Sequence, residues 1–302
     1  MKRLISRLLQ GIIVLLGVTF LVFIASYLTG DPARLILGET ASQEMIESYR
    51  EFHGLNDPII VQYGRFVMGI LRGDFGTSLY YSQDCLSLIA DKLVNTIQLA
   101  SISLVLSLLL AIPLGILSAT RRNTWVDTSI SFFSLFGQSA PNFWLALMLM
   151  LVFSVNNRWL PVSGMGSWKN FVLPCVTLMM WPLAQNTRMM RSSMIDALES
   201  DYITTARAKG LRQGSVILKH SLKNALKPTI TMVGLQIGSF LGGSVVVENV
   251  FSWDGVGRLA VKAIQVRDFP LLQSIVFFLA LFFVIINLIV DSLYLVLDPR
   301  IR

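Results

Sequence analysis

The sequence has little charge, two cysteines and two histidines, and each scarcity excludes something. Only 14% of its 302 residues are charged, and 54% are hydrophobic. A soluble domain carries about 25% charged residues, so a single soluble globular domain is excluded. Cys85 and Cys175 lie far apart and form no CxxC pair. No disulfide framework or zinc site follows, and Cys175 reads as a small residue inside an apolar run. His53 and His220 have no Cys or His at ligand spacing, so a direct metal role is not expected of either. The GxxxxGK[ST] phosphate loop, GxSxG and HExxH are all missing, which leaves no ATP site and no basis for catalysis by this chain. The net charge of +7 does not point to nucleic acid, because the basic residues are spread between hydrophobic runs.

What the sequence has is long apolar runs, and a mean hydropathy of +0.64. Runs of about 18 residues or more with few charges are membrane spans. Six are expected: Leu8–Leu28, Thr96–Thr120, Phe133–Ser154, Phe171–Thr187, Thr229–Val247 and Phe269–Val290. Lys2, Arg3 and Arg7 precede the first, which is too long for a signal peptide and places the N-terminus inside. With six spans both termini are cytoplasmic. Fifteen basic residues then fall inside, while ten basic and twelve acidic residues fall outside, as the positive-inside rule requires. The third run is too long for one upright helix, and Ser139-Ala140-Pro141-Asn142 interrupts or kinks it. Gly234, Gly238, Gly242 and Gly243 in the fifth permit close helix contacts.

The chain thus divides into a leader and first span (1–28), an external segment (29–95), a five-helix core (96–298) and a tail (299–302). In the external segment Glu44–His53 and Val61–Leu71 read as helices, and Gly73–Ser78 as a glycine-rich turn. Glu248–Asp268 is expected outside. Asp291 is the one clear ionisable residue within a span, near its inner end.

The organising stretch is Arg188–Pro228, polar, and basic at Arg188, Arg191, Arg207, Lys209, Arg212, Lys219, Lys223 and Lys227. Its pattern predicts a helix, a break at Gly210 and a second helix. From pattern alone it is either a docking surface for a soluble partner or a solvated loop whose charges set topology. A stand-alone secondary transporter or channel is the rival reading. Against it stand the few charges within the spans and the lack of a visible internal repeat.

Asp201-Tyr202-Ile203-Thr204-Thr205-Ala206-Arg207-Ala208-Lys209-Gly210, with His220, Asn224-Ala225-Leu226 and Pro228, resembles the coupling loop of ABC importer permeases of the dipeptide, oligopeptide and nickel branch. The resemblance extends to Gly30-Asp31-Pro32-Ala33, Gly54-Leu55, Gln62-Tyr63, Gly73–Ser78, Pro141–Trp144, Leu160-Pro161, Glu248–Arg258, Arg267-Asp268-Phe269-Pro270 and Asp298–Arg302. Where the general signature opens Glu-Ala-Ala, this chain has Thr204-Thr205-Ala206, so the usual glutamate's role is not carried to Thr204.

The resemblance implies an all-α, six-helix, type I importer-like bundle in a bacterial inner membrane. It implies a second homologous permease as heterodimeric partner, two cytoplasmic ATPases that use ATP and magnesium, and an external or periplasmic solute-binding protein. This chain would hold no cofactor, no metal and no nucleic acid. Ala206, Arg207, Ala208, Lys209, Gly210, Leu211 and Arg212 would dock the ATPase. Gly73, Asp74, Phe75, Trp253, Gly257 and Arg258 would form an external gate or binding-protein contact. Cargo would be short peptides, glutathione, or nickel, free or chelated.

Overall fold

The computed structural model describes residues 2–30, 32–38 and 41–297. Among them there is no strand, only one isolated bridge between Thr77 and Asp84. Thirteen α-helical segments follow one another: α1 Lys2–Thr29, α2 Pro32–Leu37, α3 Gln43–His53, α4 Ile59–Leu71, α5 Cys85–Thr120, α6 Trp125–Ser139, α7 Asn142–Met150, α8 Trp168–Leu198, α9 Asp201–Ala208, α10 Gln213–Ser215, α11 Leu222–Val250, α12 Val256–Gln265 and α13 Phe269–Leu297. Two wider π-helical turns are spliced in, Leu151–Asn156 after α7 and Val216–Ser221 before α11. The side chain of Asp291 and the tail Asp298–Arg302 lie outside the described residues, as does Asp31.

Three helices are long and apolar enough to cross a membrane, Ser6–Leu28, Cys85–Thr120 and Phe269–Val290. Two bent pairs bring the number to five if each is one span: Trp125–Ser139 with Asn142–Asn156, bent by 106°, and Gln213–Gly238 with Gly242–Val250, bent by 62°. The expected fourth span, Phe171–Thr187, lies inside α8 but does not reach that apolar standard. Pro174, Pro182, Gln185 and Asn186 dilute its run. The second span also begins earlier than expected, because helix continues outward from Thr96 to Cys85. The third breaks at Ala140-Pro141, where proline excludes helical geometry from the residue before it: Ala140 is extended at ψ 124° and Pro141 starts the next helix.

The chain forms two compact units, Met1–Asn95 with Asp254–Arg302, and Thr96–Trp253. In the first, α1 packs along α13 so closely that a Cβ on Gly11 would lie 2.6 Å from Val284. An aromatic cluster of Phe20, Phe23, Tyr63 and Phe66 joins α1 to α4. The Tyr63 hydroxyl lies 2.8 Å from Thr19 Oγ1. Gln62 closes the turn before α4, its Nε2 donating to the carbonyls of Leu55 and Asp57, both at 2.8 Å. These bonds give the Gly54-Leu55 and Gln62-Tyr63 pairs a structural reason to occur together. A second core gathers Cys85, Leu88 and Ile89 with Val256, Leu259, Ala263, Leu271 and Ile275.

The spine of the second unit is α8, which packs against both α6 and α11. Its upper core joins Leu99, Ala146, Leu173, Leu178, Phe240, Val247, Phe251 and Trp253, and its lower core joins Ala119, Met190, Met194, Ala197 and Ala225. Gly115 permits the close approach of α5: a Cβ there would stand 2.6 Å from Met190 Cβ and 3.0 Å from the Thr187 carbonyl. Backbone oxygen cannot move aside as a flexible side chain can, so this contact requires glycine.

Candidate functional site

The basic stretch is organised differently from its sequence pattern. Arg188–Leu198 is not a separate helix but the last three turns of α8. The chain is broken twice, at Glu199-Ser200 and again at Lys209–Arg212. Between the breaks stands α9, whose Ser200 adopts the extended conformation of a helix start. Ile203 and Ala206 on one face of α9 pack with Val216 of the π-turn. That small cluster folds α9 back onto the base of the following helix.

The expected docking residues divide on this basis. Ala206 is buried in the cluster, where it packs with Ile203 and Val216. Arg207, Ala208, Lys209, Gly210, Leu211 and Arg212 form one continuous exposed edge, with Tyr202 beside it. Arg207, Lys209 and Arg212 have no ion-pair partner among the described residues. Gly210 has φ +77°, and a Cβ there would meet nothing within 4 Å. Glycine is needed at that position for its backbone freedom and not for space.

Above the breaks sits a buried polar frame that sequence reading missed. Asp127, in the first turn of α6, is almost wholly buried. Both its oxygens accept from Arg191 of α8, at 2.7 Å from Nε and 2.7 Å from Nη2. Ser118 Oγ of α5 donates at 2.5 Å and the Asn123 amide at 3.0 Å. One carboxylate thus ties α5, α6 and α8 together, immediately above the basic segment. Arg122 adds an exposed bond of 2.6 Å to Glu199 at the first break, worth a fraction of a kcal/mol to about 1. Deeper in the unit, Asn186 Nδ2 donates to Gln236 Oε1 at 2.9 Å, and Gln236 Nε2 to Gln185 Oε1 at 3.1 Å. The one available signal was that Asp127 is the sole acid between Asp91 and Asp196.

At the other end, Glu248 is fully buried in the last turn of α11 and accepts from Thr96 Oγ1 at 2.8 Å. It therefore belongs to α11, which runs to Val250, three residues beyond the expected end of the fifth span at Val247. Trp253 is likewise buried, its ring 4.5 Å from that of Phe171. It has no face to offer a binding protein.

Of the other proposed outer residues, all in the first unit, Gly73, Asp74 and Arg258 are exposed, Phe75 is half-buried and Gly257 is buried. Phe75 stacks 4.8 Å from Phe278. Asp74 Oδ1 accepts from the Gly76 amide at 2.9 Å, tightening the turn. The whole Gly73–Ser78 turn is anchored by Asp268, a residue not singled out as a site. Its buried carboxylate accepts from Ser78 Oγ at 2.5 Å, from the Tyr80 amide at 3.1 Å and, at the start of α13, from the Leu271 amide at 3.3 Å. Among the described residues no three His, Cys, Asp or Glu side chains converge to hold a metal ion.

The comparisons with known proteins agree with this architecture. The family model described as the binding-protein-dependent transport system inner membrane component matches residues 111–302, and the model of its N-terminal part matches residues 1–100. A glutathione transport system permease protein of Salmonella paratyphi A is 43% identical over 299 residues, covering 99% of this chain and 98% of that protein. A dipeptide transport system permease protein of Alkalihalophilus pseudofirmus is 41% identical over 325 residues, covering 98% of each. An oligopeptide transport system permease protein of Bacillus subtilis is 42% identical over 310 residues, covering 99% and 98%. Among solved structures, an amino acid ABC transporter crystallised with histidines superposes with a TM-score of 0.54 at 16% identity. It covers 71% of this chain and 94% of that one, a likeness of fold alone. With matches along nearly its whole length, this chain belongs to the family of inner membrane components of binding-protein-dependent transport systems, the non-catalytic membrane permeases of ABC importers.

Proposed function

We propose that the chain forms half of the translocation pathway of an ATP-driven importer of short peptides, glutathione included. A second, homologous permease would complete the pathway, two cytoplasmic ATPases would supply ATP and magnesium chemistry, and an external binding protein would deliver cargo. The supporting observation is near-full-length similarity to permeases named for glutathione, dipeptide and oligopeptide transport. Nickel, which the sequence resemblance also raised, figures in none of those three names. Family membership also displaces the rival reading of a stand-alone carrier.

In this reading both termini are cytoplasmic and the Arg207–Arg212 edge meets the ATPases. Its three unpaired cations suit an acidic rim, and Leu211 and Tyr202 supply apolar contact. Motion of the ATPases would reach the membrane through α9, which is short, doubly hinged and bonded to the helix base by Ile203, Ala206 and Val216. The buried Asp127–Arg191 frame directly above gives that motion a stiff structure to push against.

The hinge is testable. Gly210→Val places a β-branched residue at φ +77°, a strain of about 1–2 kcal/mol. Cargo-stimulated ATP hydrolysis by the assembled complex is expected to fall several-fold, with the chain still in the membrane. Gly210→Asn, which tolerates the left-handed region, is expected to retain most of the coupling. Equal coupling in both variants and the unsubstituted chain would remove the hinge from the mechanism. The assembly itself is tested by a detergent pull-down of tagged chain from its native membrane with mass spectrometry. Two ATPases and a second permease are the expected companions; a chain recovered alone that transports without ATP would overturn the reading.

A further inference from the structure

An open cavity of about 570 Å³ lies in the second unit, walled by α6, α8 and α11. That is the size of a site for a small organic solute. Leu135, Met189 and Met232 give it apolar walls, and Ser131 and Ser192 add hydroxyls. Two arginines one helical turn apart, Arg188 and Arg191, line it, but their charges are handled differently. Arg191 is neutralised by the buried Asp127. Arg188 meets only a neutral acceptor among the described residues, Gln138 Oε1 at 2.6 Å. Gln185, also on the wall, has its oxygen occupied by Gln236 Nε2, which is itself held by Asn186. What Gln185 has left is its amide donor. The cavity therefore contains one uncompensated cation and one pre-oriented N–H donor, with no carboxylate left to answer them. Arg188 is exposed and lies just past the expected span Phe171–Thr187, so its guanidinium is open to a solute in the cavity, and no carboxylate competes for it among the described residues.

We infer that this cavity is a way-station for the carboxylate of the translocating solute, with Arg188 pairing the carboxylate and Gln185 donating to it. Arg191 is excluded from that role by Asp127, and the apolar wall would receive a side chain of the solute. The inference rests on the peptide reading for the identity of the solute, but the anion chemistry stands on the cavity itself.

The test places a reporter thiol on the wall, Ser192→Cys, in the purified complex in detergent; Ser131→Cys serves if the first variant assembles poorly. The rates of modification by an anionic sulfonatoethyl and a cationic trimethylammoniumethyl methanethiosulfonate are compared, each normalised to its rate with a free thiol. Because Arg188 is exposed and partly screened, the anionic reagent is expected to be favoured by about threefold at low salt. Arg188→Gln should abolish that preference and Arg188→Lys should keep it. The dipeptide Ala-Ala should protect the thiol, and its C-terminal amide should not. A preference that ignores Arg188, equal protection by acid and amide, or protection only by phosphatidylglycerol would overturn the inference, the last in favour of a lipid headgroup. If the preference follows Arg188 but Ala-Ala protects no better than acetate, the carboxylate site stands and the peptide reading fails.

Discussion

Replacing Arg191 with methionine is expected to destabilise the chain by about 3–5 kcal/mol, the usual consequence of leaving one member of a buried ion pair alone. Asp127 is only 6% exposed, so water cannot take over the role of the guanidinium. Because the same carboxylate also receives Ser118 and the Asn123 amide, disturbance at Asp127 reaches α5, α6 and α8 together. The measurable result is a fall of roughly 10 °C in unfolding temperature in detergent, with less chain recovered from the membrane. The double replacement Arg191→Met with Asp127→Leu separates two explanations. Removing both charges should restore part of the loss, but not all, since Ser118 and Asn123 would still lack an acceptor. No recovery would assign the loss to Arg191 packing and not to the orphaned carboxylate. Full stability in Arg191→Met alone would show that the pair does not brace the bundle.

The second large effect is expected at Asp268. Asp268→Ala removes the acceptor for Ser78 Oγ, the Tyr80 amide and the Leu271 amide at once. Losing a helix cap and orphaning buried donors together costs about 3 kcal/mol. The loss should be local: the Gly73–Ser82 region should become open to limited proteolysis at concentrations that leave the parent chain intact. Asp268→Asn keeps an acceptor oxygen and should remain largely resistant. Cleavage of both variants to the same degree would mean that the negative charge matters more than the bonding pattern. Resistance of both would mean that the Phe75–Phe278 stacking alone holds the turn.

The sequence is legible where a rule acts locally. Apolar runs locate α1 and α13, although α1 starts six residues before its run and α13 continues seven beyond it, and Pro141 locates the break between α6 and α7. The helical pattern of Glu44–His53 and Val61–Leu71 appears as α3 and α4, each within two residues. The basic edge Arg207–Arg212 is legible from composition. Illegible were the relations that join distant residues. Nothing near Asp127 announces Arg191, sixty-four positions on, and nothing near Ser78 announces Asp268. Asp291, near the inner end of the last span, stood out, yet the buried carboxylates of Asp127 and Glu248 sit in end turns of other helices. The burial of Ala206 is a relation of the same kind, since on an isolated helix it looks available and only the return of Val216 covers it.

The π-turn at Val216–Ser221 carries a further consequence. A helix advances about 100° per residue, and a π-turn accommodates an extra residue within an otherwise α-helical rod. The number of residues between Gln213 and Leu222 therefore acts as a phase setting. Removing one residue there and letting the turn relax to α-geometry would leave the hydrophobic content and charge of the chain almost unchanged. It would still swing the face of α9 by roughly a quarter-turn about the axis of α11. If the Arg207–Arg212 edge docks the ATPases as proposed, it would then meet them at the wrong angle, like a gear assembled one tooth out.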